Sequence, residues 1–323
     1  MPHGEERVLR RRIRSVQATQ KITRAFELIA ASQIVRAQAR IAAAGPYQRG
    51  IAEVLAEAAA DAEENAGRFL GVPESPARVA LLAIVADRGL CGAYNVNVLR
   101  QTERTWRAGT ADGADFRLLT VGRKAQSYFR FRRIDVAESF TGVSDRPTFE
   151  VAQRVAHAVT RPFLDEEVDQ VMVVSTRFLS AGTQTVEVRQ LLPMPEPSGR
   201  GERDQEEGAG SHEERSPGQA AAPVGDGHAK REGYTEFEPA SPDLLAELVP
   251  RYVEAAVFGA MLEAAASEHT ARQRAMAAAT DNADELVKTF TRAMNRARQD
   301  AITTEIMEIV GGAESLRAGA RHE

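Results

Sequence analysis

The stretch with the most chemical promise is Asp87-Arg88-Gly89-Leu90-Cys91-Gly92-Ala93-Tyr94-Asn95. It follows a Val/Ile/Leu-rich run and precedes a helical pattern, which is where phosphate-cradling loops occur in α/β proteins. Gly89 and Gly92 serve equally well to turn the chain from strand to helix, and the turn is the simpler reading. Neither Walker A spacing nor a GxGxxG fingerprint occurs anywhere. Cys91 is the only cysteine, so an intramolecular disulfide and a cysteine-based zinc cluster are both excluded. As a nucleophile it lacks an arguable base, and a buried small side chain is the expectation. The six histidines are scattered at 3, 157, 212, 228, 269 and 322 and form no ligand pair at helical spacing. No metal, cofactor or catalytic residue is expected.

A second polar concentration lies near the C-terminal end: Asp281, Asn282, Asn295, Arg296, Arg298, Gln299, Asp300, Thr303 and Thr304. These residues form either an ordinary wet helix face or a surface that makes successive hydrogen bonds and ion pairs with an enclosing protein. A basic stretch near the start offers the same choice. Arg7, Arg10, Arg11, Arg12, Arg14, Lys21, Arg24, Arg36 and Arg40 stand there against Glu5, Glu6 and Glu27. They can coat a solvated helix or sit in an electronegative sleeve.

The elements that carry these residues divide the 323-residue chain into four parts. Residues 1–65 form an N-terminal shaft helix, with Leu9, Ile13, Val16, Ile22, Phe26, Ile29, Ile34 and Ile41 at steps of three and four. Gly45-Pro46 predicts a kink before a second stretch from Tyr47 to Glu64. Residues 77–193 alternate strand patterns (78–86, 116–122, 133–140, 169–176, 185–191) with helical ones (96–107, 124–130, 149–163). That alternation predicts an α/β domain with a largely parallel, Rossmann-like sheet. Residues 194–238 are an acidic insertion; from Glu196 to Gly233 acidic residues outnumber basic ones nine to five. Its composition predicts disorder. Residues 239–323 form a C-terminal shaft helix, opened by Ser241 as N-cap and Pro242 at the first helical position. Its seam is Leu244, Leu248, Tyr252, Ala255, Gly259, Leu262, Ala266 and His269, then Met276, Thr280, Ala283, Val287, Phe290, Met294, Ala301 and Val310. Gly311-Gly312 predicts its end. Neither long helix is stable alone, so the two are expected to pair as an antiparallel coiled coil beside the central domain.

Net charge is −5 and no segment approaches ~20 continuous apolar residues. Neither nucleic-acid binding nor a membrane span is expected, the first residues do not read as a signal peptide, and a lone cysteine fits a reducing compartment.

Several ordered motifs then carry a resemblance. They are Thr19-Gln20-Lys21-Ile22-Thr23-Arg24-Ala25 with Ile29-Ala30-Ala31-Ser32; Asp87 to Gly92; Leu191-Leu192-Pro193; Pro250 to Ala255; Ser267-Glu268-His269 with Ala271-Arg272; Ala279 to Ala283; Asn295 to Gln299; and Ile309 to Ala313. In this order they resemble the gamma subunit of F-type ATP synthases, over nearly the whole chain apart from the insertion. The resemblance implies a non-catalytic central rotor stalk. Its partners are the alpha and beta subunits of the catalytic head, the epsilon subunit and the membrane c-ring, at the cytoplasmic face of the cell membrane. By the same resemblance Phe26, Glu268, Arg272, Arg298, Gln299 and Thr303 are stator contacts, and Tyr234 and Phe237 face epsilon and the c-ring. Departures from the family pattern are Phe26 for Met, Gln33 for a frequent Lys, Gln273-Arg274 for an apolar pair, and Asp300. The insertion, near the thiol-regulated segment of chloroplast relatives, lacks the second cysteine of a dithiol switch. It is either a tolerated surface loop or a brake on reverse rotation. A stand-alone α/β enzyme and a coiled-coil adaptor are the alternatives; the first needs a polar constellation around Gly89–Asn95, the second does not explain the ordered motifs.

Overall fold

The computed structural model describes residues 2–61, 69, 71, 76–194 and 241–319. Two helices dominate: α1 (Pro2–Asp61) and, last in the chain, α5 (Ser241–Gly319). At 60 and 79 residues they are roughly 90 and 120 Å long. They run antiparallel, because their contacts advance in opposite directions: Gln20 bonds Asp284, Thr23 meets Thr280, and Gln48 reaches the Ala255 carbonyl.

The seam between them is narrower than the periodicity predicts. Among the described side chains of α1's first 40 positions Thr23, Ala30, Ile34 and Ala37 are buried, and towards the far end of α5 Met276, Thr280, Ala283 and Ala301 are buried. Ile22 and Ile29, expected in the seam, are 57% and 55% exposed, and Phe26 is also turned outward. Small side chains let the helix backbones approach, and the bulky ones are then displaced to the flanks. At Gly259 the approach is closest: a Cβ there would lie 2.3 Å from Gln48 Nε2.

The end expected at Gly311-Gly312 is absent. The helix α1 runs through Gly45-Pro46 to Asp61, and α5 runs through Pro250 and past Gly311-Gly312 to Gly319. An interior proline costs about 3 kcal/mol in an isolated helix. Burial outweighs it: Leu55 and Ala58 beyond Pro46, and Leu245, Val249 and Val253 around Pro250, are fully enclosed against the sheet.

The central part follows the predicted alternation: β1 (Arg78–Ile84), α2 (Tyr94–Ala111), β2 (Asp115–Val121), α3 (Arg123–Phe131), β3 (Glu138–Phe140), α4 (Phe149–Leu164), β4 (Gln170–Phe178) and β5 (Gln184–Leu192). The sheet order is β3-β2-β1-β4-β5, with β5 antiparallel on the edge and the rest parallel. The third strand is shorter than the expected 133–140, since Arg133 turns left-handed (φ 57°) at the end of α3. Helices α2 and α3 cover one face through Val98, Leu99, Ala125 and Phe129. The other face packs on α4, on the last turns of α1 and on α5 through Val253, Val257 and Met261. The sheet is therefore mounted on the side of the shaft, with α5 as part of its core. The stretch expected to be an acidic disordered insertion lies, Met194 apart, outside the described residues up to its limit at 238.

Gly122, between β2 and α3, has φ 98°, and a Cβ there would sit 2.2 Å from the Val85 carbonyl oxygen. Gly122→Ala is expected to cost at least about 1–3 kcal/mol, from left-handed strain plus the clash. A urea midpoint equal to that of the parent chain would contradict this placement.

Candidate functional site

The loop after β1 is a clasp built from its own polar side chains. Asp87 accepts from the backbone N–H of Arg123 (2.9 Å), Gly142 (2.8 Å) and Ser144 (2.9 Å), and its own N–H donates to Ser144 Oγ. One carboxylate thereby ties its own loop to two others, those after β2 and β3. Burial alone would raise the Asp87 carboxyl, but the backbone donors of Gly142, Ser144 and Arg123 hold it below the usual carboxylate range. Asn95, at the start of α2, accepts from Ala86 N and donates to Arg88 O and Cys91 Sγ. Cys91 is buried, and burial pushes its thiol pKa up, so it is an inert packing residue as expected.

The clasp closes on α5. Arg272 donates to Glu268 Oε1 at 2.5 Å and to the Gly89 carbonyl at 3.4 Å, and lies 4.0 Å from Asp145. His269, one residue on from Glu268, contacts the Asp145 carbonyl through Nε2 at 3.2 Å. Burial holds its imidazole below the ordinary value, hence neutral near pH 7. On the flank of α1, Arg40 donates to the Pro147 carbonyl, tying the neighbouring loop to the first shaft helix. Loops from the carboxyl ends of β1 and β3 thus grip both helices.

Glu268 and Arg272, inferred from the resemblance to face a stator, do not face outward. Glu268 is 1% exposed and Arg272's side chain 11%. Their i, i+4 spacing on α5 places them on the side the α/β domain covers, so they join shaft to domain within one chain. Glu268 Oε2 has no partner of good geometry. Desolvation, only partly offset by Arg272, pushes its carboxyl up to about 7.

The other inferred contacts lie elsewhere and are not brought together with these. Phe26 is exposed on α1, and Arg298, Gln299 and Thr303 are exposed on the far turns of α5. Tyr234 and Phe237 fall outside the described residues. Sequence reasoning missed Asp87, Asn95, Ser144 and Asp145 as structural members of the joint. Asp87 and Asn95 were inside the motif already singled out; nothing in the sequence pointed to Ser144 and Asp145. In the 87–95 loop Asp87 and Asn95, which the phosphate-loop reading could enlist, are committed to internal bonds, and the exposed Arg88 lies 3.6 Å from Asp145. Among the described residues no group of three His, Cys, Asp or Glu side chains could hold a metal ion. No described helix is long and apolar enough to cross a membrane.

An off-centre two-helix shaft clamped to the side of an α/β sheet is the class of fold that this chain presents. The profile of the ATP synthase family matches residues 5–316. The ATP synthase gamma chain of Parafrankia sp. is 43% identical over 98% of this chain and 99% of its own, and that of Frankia casuarinae is 43% identical with the same coverage. The chain belongs to the ATP synthase gamma-chain family. Among solved structures, the fold is shared with the mitochondrial ATP synthase of Euglena gracilis. One chain gives a TM-score of 0.63 at 16% identity, covering 98% of this chain and 96% of that one; a chain of its rotor gives 0.61 at 18%, covering 93% and 99%.

Two titrations follow from the joint. Between about pH 4.5 and 7 the folded chain keeps the Glu268 proton that the unfolded chain releases, so this group's contribution to stability is lost as pH rises through that window. Glu268→Gln is expected to flatten that slope in urea titrations at stepped pH; an unchanged slope refutes the assignment. Asp87 has the opposite sign: its contribution is present above the ordinary carboxylate range and is lost on acidification through its lowered pKa. At neutral pH, Asp87→Ala is expected to cost about 1–3 kcal/mol in a urea titration, because three backbone donors lose a charged acceptor.

Proposed function

We propose that this chain is the central rotor stalk of an F-type ATP synthase and couples ion-driven rotation of a membrane c-ring to conformational change in catalytic beta subunits. The observation that carries the reading, together with family membership, is the form of the shaft. It is long, off-centre and clamped at one side, and it exposes apolar residues that nothing among the described residues covers.

Those residues have a pattern. Ile22, Phe26, Leu28, Ile29 and Val35 are exposed along α1, and Ile302, Ile306, Met307, Ile309 and Val310 along the end of α5. With equal rise on both helices, the register that sets Gln20 against Asp284 brings α1's first turn level with about residue 300. The last turns of α5 therefore run on past α1. An apolar tip on a largely polar, partly basic rod suits an enclosing protein sleeve. Between these apolar positions the rod exposes charged and polar side chains, such as Arg11, Arg12, Lys21, Asp281 and Arg296. Contacts made through them are exchangeable, as a turning part needs.

In this reading the catalytic work is done by partner subunits. The asymmetric shaft favours a different conformer of each beta subunit at each angle, which is a population shift imposed by differential contact. Alpha, beta and epsilon subunits and the c-ring are its partners, and the chain lies peripherally at the cytoplasmic face of the cell membrane. Phe26, Arg298, Gln299 and Thr303, all exposed on the shaft, are the proposed stator contacts.

Reconstitution with alpha and beta subunits tests this. Arg298→Ala with Gln299→Ala removes exposed polar contacts worth about 0.5–1.5 kcal/mol each. The expected result is an assembled complex whose coupled turnover falls about tenfold. Failure of the parent chain to assemble with these subunits overturns the stalk reading; full coupling in the double variant removes these two residues from it.

A further inference from the structure

Helices α2 and α3 cover the face of the sheet turned away from the shaft, and their outward sides are basic. On α2, Arg100, Arg104 and Arg107 recur at steps of four and three, which sets them in one stripe about 10 Å long. On α3, Arg123 and Arg130 share a face in the same way, and Arg132 and Arg133 follow at its end. All of these are exposed. From Tyr94 to Ala137 basic side chains outnumber acidic ones nine to four, although acidic residues prevail over the whole chain, 46 to 41. Glu103 holds the two helices side by side: it accepts from the Tyr128 hydroxyl at 2.5 Å and from Arg132, and pairs with Arg107 at 2.6 Å. Its carboxylate is buried and taken up inside the layer. Arg100, Arg130 and Arg133 have no acidic partner among the described residues.

Phe131 stands at the end of α3 and is 82% exposed, more than any other large apolar side chain among the described residues. Apolar side chains exposed singly are ordinary. An aromatic ring held out among unpaired guanidinium groups is the pattern of a surface that lies on lipid, where headgroup phosphates take the cations and the ring enters the boundary with the acyl chains. An acidic protein needs a pocket shaped to the ring, and a nucleic-acid duplex leaves the ring in water. Both helices end where β2 and β3 begin. Arg274 of α5 reaches Gln184, which pairs with the last residue of β4, so the later residues of α5 lie towards the carboxyl ends of the strands. Phe131 is therefore at the pole of the domain away from the apolar tip of α5.

We propose that this pole, Phe131 with Arg107, Arg130, Arg132 and Arg133, docks on an anionic phospholipid surface. On the stalk reading the pole faces the membrane; that orientation rests on the stalk reading, whereas the affinity for lipid does not.

Flotation of the full-length chain with vesicles tests it, with equal parts of phosphatidylglycerol and phosphatidylcholine set against phosphatidylcholine alone. The expected result is partition onto the mixed vesicles only, lost as sodium chloride rises from about 50 to 500 mM. Arg130→Gln with Arg133→Gln is expected to lower the partition coefficient at least tenfold, at about fivefold per basic residue. Phe131→Ser is expected to lower it several-fold and to leave its salt dependence as it was. Trp106→Phe with Phe131→Trp moves the chain's single tryptophan to the proposed contact, where brominated phosphatidylglycerol is expected to quench its emission. Arg11→Gln with Arg12→Gln, in the basic stretch of α1, should leave partition unchanged. Circular dichroism establishes that each variant is folded, and the charge and ring variants are independent should one fail to fold. Absence of partition onto anionic vesicles overturns the proposal, as does partition that depends on Arg11 and Arg12 instead of Arg130 and Arg133. Partition that falls with Arg130 and Arg133 but ignores Phe131, without quenching, overturns it too, since the surface then suits a soluble polyanion such as an acidic protein segment. No other subunit enters the experiment, so its failure is separate from a failure of the stalk reading.

Discussion

The close approach of α1 and α5 is the constraint from which the rest follows. Two helices of this length have no stability of their own in water, so they must bury area on each other over many turns. The seam achieves this with Ala30, Ala37, Ala283 and Ala301, and with the Thr23–Thr280 hydroxyl pair at 2.8 Å. Each alanine buries little, but it lets the backbones come near enough for continuous dispersion contact. The cost is that few bulky residues enter, Ile34 and Met276 among them. Ile22, Phe26 and Ile29 are turned outward for that reason, and the shaft acquires an apolar exterior as a consequence of its tight interior.

That exclusion also explains where the sequence was legible and where it was not. Alternating strand and helix patterns placed all five strands and the three short helices to within a few residues, because each has a buried face with its own period. The seam of α1 was misjudged. Periodicity weights Ile and Phe above Ala and Thr, whereas a close helix pair selects for small volume, and no hydropathy count separates those demands. The end expected at Gly311-Gly312 failed for a related reason, and Pro46 does not interrupt α1. Local propensity is worth a few kcal/mol, and at Pro46 burial beside the sheet overrides it. For the glycines, α5 is already a continuing helix whose next turns are no worse than coil.

Glu268 and Arg272 give the sharper lesson about sites. Their charge, spacing and family motif all suggest a polar face meeting another protein. A loop from a distant part of the chain supplies the partner instead, with Gly89, Ser144 and Asp145 arriving from the ends of β1 and β3. Nothing local in α5 could announce that, since the decisive contacts span more than 120 residues, as between His269 and Asp145. Asp87, by contrast, was legible as important and illegible in role. A carboxylate after a strand reads as a ligand group until its three backbone donors are seen.

The shaft and sheet are fastened at two places of different chemistry, and the difference has mechanical sense. Near residues 245–261 the contact is a continuous apolar core, strong but indifferent to small slides. At Glu268 and Arg272 it is a buried polar joint. Desolvation consumes most of what such a pair gains, so its net contribution to stability is small. What it adds is direction, because a guanidinium shared between Glu268, the Gly89 carbonyl and Asp145 is satisfied in one orientation. Val249 and Arg272 are separated by about 35 Å along α5. One attachment would let the sheet pivot about the helix when pushed. A strong attachment and a directional one, held that far apart on a single stiff rod, resist both sliding and turning, and a load applied to the sheet is then delivered to the shaft as torque.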